Sequence, residues 1–113
     1  MRQRVALART LAINPTLWLL DEPFSALDAQ TRLSVQTQFL ELREKTKSTV
    51  ILVTHDLEEA AFLADRIIVL GTKPGYIKKI VDVPYARPRN IEILRTKSEF
   101  AELQNLLWRS IRE

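Results

Sequence analysis

An α/β fold with parallel strands and flanking helices is predicted by three features of this 113-residue sequence. Two short, continuous apolar runs, 17–20 and 49–54, suit strands buried on both faces better than half-exposed ones. A stretch of helical periodicity joins them, and strand, helix, strand at this spacing is a βαβ unit, whose right-handed crossover makes the strands parallel. A second helix and a third apolar run then repeat the alternation. With 46% hydrophobic and 27% charged residues the composition is that of one small folded domain rather than a disordered chain.

Residues 2–13 place Val5, Ala8, Leu11 and Ala12 at helical spacing, with Arg2, Arg4 and Arg9 between them; the helix opens without a capping residue and ends at Asn14-Pro15. The strand 17–20 closes on Asp21-Glu22-Pro23, so two acids stand at its C-terminal end. After Phe24-Ser25-Ala26-Leu27, Asp28 is an N-cap for a helix over about 29–47, where Val35, Phe39 and Leu42 share a face. The strand 49–54 then delivers His55 to the same edge as Asp21 and Glu22. Leu57, Ala60, Ala61 and Ala64 mark a further helix, and 67–70 a strand ended by Gly71. Lys73-Pro74-Gly75 is a turn into 76–83, a segment able to pair antiparallel, and Pro84 and Pro88 mark a loop. Thr96 and Glu99 match a capping box that opens a last helix with Phe100, Leu103, Leu107 and Ile111 on one face. Trp18 and Trp108 are expected to be packing residues.

Cysteine is absent, which removes disulfides, thiolate metal sites and thiol nucleophiles together. No apolar run approaches the roughly 18 residues that span a bilayer, and the first residues lack an apolar segment followed by a cleavage site, so a cytoplasmic chain is expected. Net charge is +3, with 8 basic and 9 acidic side chains in 1–72 against 9 and 5 in 73–113. The excess cations are scattered among acids rather than concentrated on one element with aromatics, so no nucleic-acid partner is expected and the tail positives read as solvated.

In open α/β sheets ligands bind beyond the C-terminal ends of the strands, and that edge gathers Asp21, Glu22, Asp28 and His55. Four apolar residues followed by Asp-Glu is the Walker B pattern, in which a rigid strand aims a carboxylate at Mg²⁺ and the adjacent Glu polarises water. A plain acidic strand-to-loop junction gives the same pattern. Ser25-Ala26-Leu27-Asp28 three residues on, and Thr54-His55-Asp56 after the next strand, form a spaced set that chance rarely supplies.

The set resembles the C-terminal half of an ATP-binding-cassette (ABC) ATPase domain, a P-loop NTPase, almost from end to end. Arg2-Gln3-Arg4-Val5-Ala6-Leu7-Ala8-Arg9 resembles the helix that follows the family's LSGGQ signature, 17–22 Walker B, 25–28 the D-loop and His55 the switch histidine. The resemblance implies ATP and Mg²⁺ as cofactors, with Asp21 the carboxylate near Mg²⁺, usually acting through water. By the same likeness Glu22 is the base or water-orienting group, His55 a contact to the γ-phosphate, and Asp28 a residue reaching across a head-to-tail dimer. Asp28 as a helix cap is an equal and compatible reading. On this likeness 1–83 is the C-terminal part of the ATPase core, and 84–113 a C-terminal loop and helix.

The 2 glycines stand against the roughly 8 that average usage near 7% would supply. The phosphate loop GxxxxGK[ST] needs glycines so that backbone N–H groups can surround the phosphates, and nothing in these residues fits it. The glutamine loop is missing as well, and the first four signature residues would fall just before Met1. A chain truncated within the signature is therefore expected, inactive alone, with apolar strand faces or edges that make it poorly soluble. Lys73-Pro74-Gly75-Tyr76, the loop 84–89 and Phe100-Ala101-Glu102-Leu103 resemble the tails of nitrate, sulfonate and taurine importers. The implied partners are a second ATPase subunit, a transmembrane permease and, indirectly, a solute-binding protein, with the chain peripheral on the inner face of the cell membrane. A non-catalytic remnant that pairs with intact ATPase domains is the competing reading.

Overall fold

Strands β1, Leu17–Asp21, and β2, Thr49–Val53, lie parallel and in register, Leu17 opposite Thr49 and Asp21 opposite Val53, as the apolar runs predict. The computed structural model describes residues 16–113, and the expected helix over 2–13 lies outside them. One unit of the chain ends at His55 and the other is Asp56–Glu113.

In the first unit, helix α1, Ala29–Thr46, connects the two strands. Asp28 caps it as predicted, accepting from the Thr31 N–H at 3.0 Å and the Thr31 hydroxyl at 2.8 Å. Lys47 ends it in the left-handed region, φ 55°, with its N–H on the Arg43 carbonyl. Trp18 and Leu20 leave one face of the sheet to meet the buried stripe of α1, where the Trp18 and Phe39 rings lie 5.7 Å apart and Phe24 adds an edge-on contact to Phe39 at 6.0 Å. Trp18 therefore packs as expected, while Leu42 on α1 is exposed.

Burial of these strands on both faces, the expectation from their continuous apolar runs, does not hold. Leu17, Leu19, Ile51 and Val53 stand exposed on the face opposite Trp18, Leu19 at 71%. Successive side chains alternate across a strand, and α1 carries the partners of only one face.

The second unit begins with helix α2, Leu57–Leu63, which Asp56 caps by accepting from the Glu59 N–H. Ala64, expected within this helix, is its C-cap. Strand β3, Arg66–Gly71, pairs antiparallel with β4, Tyr76–Asp82. The antiparallel pairing of 76–83 is as expected, but among the described residues β3 joins β4 in a separate two-stranded sheet instead of extending the parallel one. Gly71 faces Tyr76 across the pair, where a Cβ would sit 2.3 Å from the tyrosine ring, so any larger residue would push that exposed ring aside. A bulge interrupts the ladder: Val69 opposes Lys79 and Leu70 opposes Ile77, leaving Lys78 over.

The segment 84–95 is not all loop. Asn90 accepts from the N–H groups of Glu92 and Ile93 and opens helix α3, Ile91–Arg95. Helix α4, Ser98–Arg112, comes next, and the expected Thr96/Glu99 capping box is absent. The Thr96 hydroxyl donates instead to the Ile93 carbonyl at 2.7 Å, closing α3, and Lys97 takes the N-cap position of α4 with no side-chain bond. Phe100, Leu103 and Leu107 are buried as predicted, whereas Ile111 is half-exposed. Trp108 is also corrected: it is 52% exposed, with the Arg112 guanidinium 5.7 Å from its ring centroid. One residue along a helix is about 100° of rotation, which turns Trp108 away from the face that buries Leu107.

Nor are the tail cations simply solvated. The Arg89 guanidinium is buried and makes four bonds to three carbonyls, those of Phe62, Ala64 and Tyr85. Burial first, and then Arg87, bring Arg89 down to about 10, and the carbonyl dipoles compensate the buried charge at neutral pH. Arg87 joins it, donating to the Leu63 carbonyl at 2.7 Å and to Asp65. Together they complete the C-terminal end of α2. Lys78, the bulge residue, donates to the carbonyls of Ser110, Ile111 and Glu113 at the end of α4. Arg95 pairs with both Glu58 carboxylate oxygens, at 2.5 and 3.2 Å, tying α3 to α2.

Arg89→Ala leaves three carbonyls without these donors and is expected to lower unfolding free energy by about 3 kcal/mol, read as a fall in urea midpoint. Arg89→Lys is expected to recover less than half, because one ammonium cannot reproduce the planar fork. The exposed aliphatic face of β1 and β2 gives a separate expectation: Leu19→Lys reduces self-association in sedimentation while leaving the thermal midpoint within a few degrees. Unchanged association in Leu19→Lys would show that this face does not drive it.

Candidate functional site

The parallel register Asp21↔Val53 places the ends of β1 and β2 side by side, so the residues just past each strand meet at one edge. The Glu22 N–H continues the ladder one step further, donating to the Val53 carbonyl at 2.8 Å. At Glu22 the chain then turns through the left-handed region, φ 46°, a conformation that costs a residue with a side chain about 1–2 kcal/mol unless its surroundings hold it. The holding bonds are visible: Ser25 returns to the Glu22 carbonyl through its N–H at 3.3 Å and its hydroxyl at 3.1 Å. A second turn overlaps the first, with the Leu27 N–H on the Phe24 carbonyl at 3.2 Å.

These turns bring the Glu22 carboxylate against His55, whose Nδ1 is hydrogen-bonded to Glu22 Oε1. Both face solvent, His55 more than Glu22. Asp21, also exposed, is the last residue of β1. Of the four residues singled out by sequence, Glu22 and His55 are in contact and Asp21 precedes Glu22 in the chain. Asp28 stands at the far end of the loop 22–28, its carboxylate occupied by Thr31 at the start of α1. The Thr31 N–H first, and its hydroxyl next, hold the Asp28 carboxyl below the ordinary carboxylate value.

Sequence reasoning missed Arg32. One turn into α1, it reaches back under the loop, Nε donating to the Phe24 carbonyl at 3.3 Å and a terminal nitrogen to the Leu27 carbonyl at 2.8 Å. The available signal was an accounting one: a tight loop between strand and helix has carbonyls to satisfy, and an Arg in the next helical turn is a nearby donor.

Among the described residues no three Asp, Glu, His or Cys side chains cluster as a ready metal site. Mg²⁺ differs from transition metals in taking one or two carboxylates and drawing its other ligands from water and substrate phosphates. An exposed Asp21 at a strand end, beside Glu22, offers such oxygens. A phosphate cradle is a different matter, since Gly71 ends β3 and Gly75 lies in the turn before β4, away from any Gly-rich strand-to-helix loop. A carboxylate held on an imidazole at an open edge can orient water and accept its proton.

No protein-family model matches the sequence. Curated relatives do. An uncharacterized ABC transporter ATP-binding protein of Methanocaldococcus jannaschii is 52% identical over 102 residues, 90% of this chain and 37% of that protein. A nitrate import ATP-binding protein of Synechococcus elongatus is 42% identical over 105 residues, 92% of this chain and 38% of its own. An aliphatic sulfonates import ATP-binding protein of Bacillus cereus is 49% identical over 94 residues, 81% of this chain and 38% of its own. The chain thus spans about two fifths of the length of the curated relatives it matches. At 42 to 52% identity across most of its own residues, this chain is homologous to a segment of ABC transporter ATP-binding proteins, the family that its Asp21-Glu22, Ser25-to-Asp28 and His55 motifs resemble.

Proposed function

We propose that these residues form the hydrolytic edge of the ATP-binding subunit of an ABC importer, where ATP hydrolysis is coupled to solute transport. The observation that carries the reading is the Glu22–His55 contact at the C-terminal edge of a parallel strand pair. Names of relatives that import nitrate and aliphatic sulfonates support an importer of small oxyanions.

The reaction is transfer of the γ-phosphoryl group to water. Mg²⁺, when bound, neutralises charge on the β- and γ-phosphate oxygens. Asp21 would hold it, through water. Glu22 orients the attacking water and takes up its proton as the new P–O bond forms and the bond to the β-phosphate oxygen breaks. His55 holds the Glu22 carboxylate through Nδ1, so Nε2 is the ring nitrogen that would meet the γ-phosphate. Asp28 would face a second ATPase subunit, its cap bonds to Thr31 fixing its place in the interface. A transmembrane permease, with a solute-binding protein behind it, would receive the motion. On this reading the chain is peripheral at the inner membrane face; among the described residues no helix is long and apolar enough to cross a membrane.

A second reading, a segment that pairs with intact ATPase domains and hydrolyses nothing, draws on the absence of GxxxxGK[ST] from these 113 residues. The two readings separate in a chimaera joining the part of the Synechococcus nitrate import relative that precedes the match to this chain. Phosphate release from Mg-ATP is expected in the chimaera, with Glu22→Gln slowing it about 100-fold or more and the 113 residues alone staying at background. Equal rates for the chimaera and its Glu22→Gln variant would leave only the non-hydrolysing reading.

A further inference from the structure

We propose that Arg32 is a positioning residue for Glu22, acting through the carbonyls of the loop between Glu22 and Asp28. The proposal rests on the hydrolytic reading for its significance, but its geometry stands apart from it.

Glu22 occupies a conformation that is costly for a side-chain-bearing residue, so the turns that follow help to hold its carboxylate against His55. Those turns are 22–25 and 24–27, and they share residues 24 and 25. Each depends on a carbonyl: Glu22 accepts from Ser25, and Phe24 accepts from Leu27. Arg32 donates to Phe24 and to Leu27 with different nitrogens, so one rigid guanidinium spans the second turn from its first residue to its last. Its own backbone is anchored to the same loop's end, the Arg32 N–H lying 2.8 Å from the Asp28 carbonyl. The loop is thereby clamped between the helix that starts after it and the strand whose Val53 holds its first residue. Loss of the fork would free the 24–27 turn, and with it the 22–25 turn and the angle at which Glu22 meets His55.

The chain holds a single histidine, so its ring nitrogens can be read without ambiguity in the ¹⁵N-labelled 113-residue protein. In Arg32→Met the Nδ1 resonance is expected to lose its hydrogen-bonded shift, and amide exchange at Ser25 and Leu27 to quicken about ten-fold or more. The Trp18 indole and Thr31 amide signals are expected to persist, reporting an intact core and cap. Arg32→Lys, with one donor centre, is expected to restore protection at only one of the two turns.

An unchanged His55 ring and unchanged exchange in Arg32→Met would overturn the proposal. Loss of the Trp18 and Thr31 signals in both variants would overturn it too, by making Arg32 a residue of global folding. In the chimaera with the nitrate import relative, Arg32→Met is expected to lower kcat about ten- to hundred-fold at unchanged KM. If hydrolysis there proves independent of Glu22 while the Arg32 variants still release His55, the hydrolytic reading fails and the positioning role stands.

Discussion

One backbone bond, from the Glu22 N–H to the Val53 carbonyl, sets the working edge of this chain. It prolongs the parallel ladder one residue beyond β1 and fixes where the chain leaves the sheet. Because Asp21 opposes Val53, Glu22 and His55 emerge close enough for their side chains to meet. A slip of one residue between the strands would invert the faces of β1, sending Trp18 to solvent and Leu19 into the rings of α1. The hydrophobic contact of Trp18 with Phe39 therefore guards the register on which the polar contact depends.

Much of this arrangement is legible in the sequence because it is local. The apolar runs, the βαβ spacing, Asp28 as a cap and the meeting of Asp21-Glu22 with His55 at one edge follow from periodicity and topology. What escaped is non-local or locally ambiguous. The repeated alternation of helix and strand suggested that β3 would join the parallel sheet, yet a four-residue turn makes β4 the partner that is cheapest to reach. Thr96 suits either the end of one helix or the start of the next, and Asn90, a stronger cap six residues earlier, had already begun α3. Prolines at 84 and 88 hid that short helix behind a loop pattern.

The cations show most clearly why charge counts say little about position. Arg87 and Arg89 serve carbonyls 24 to 27 residues behind them, Lys78 serves carbonyls more than 30 ahead, and Arg32 serves the loop before its own helix. All four do the same physical job, supplying donors where a helix ends or a tight turn leaves oxygens uncovered. Such pairings carry no periodic signature. They emerge only once the elements are folded against one another, which is why a scattered basic tail read as solvent-facing.

The bulge at Lys78 has a consequence for how this protein can vary in length. Outer strands of small sheets are ordinarily places where a family gains and loses residues at little expense. Here the surplus residue of β4 is the one whose ammonium closes α4, thirty-odd positions downstream. Deleting it would regularise the strand and orphan the helix end; inserting beside it would swing the ammonium to the opposite face. The spacing of the segment from Gly75 to Asp82 is thus governed from the far end of the chain.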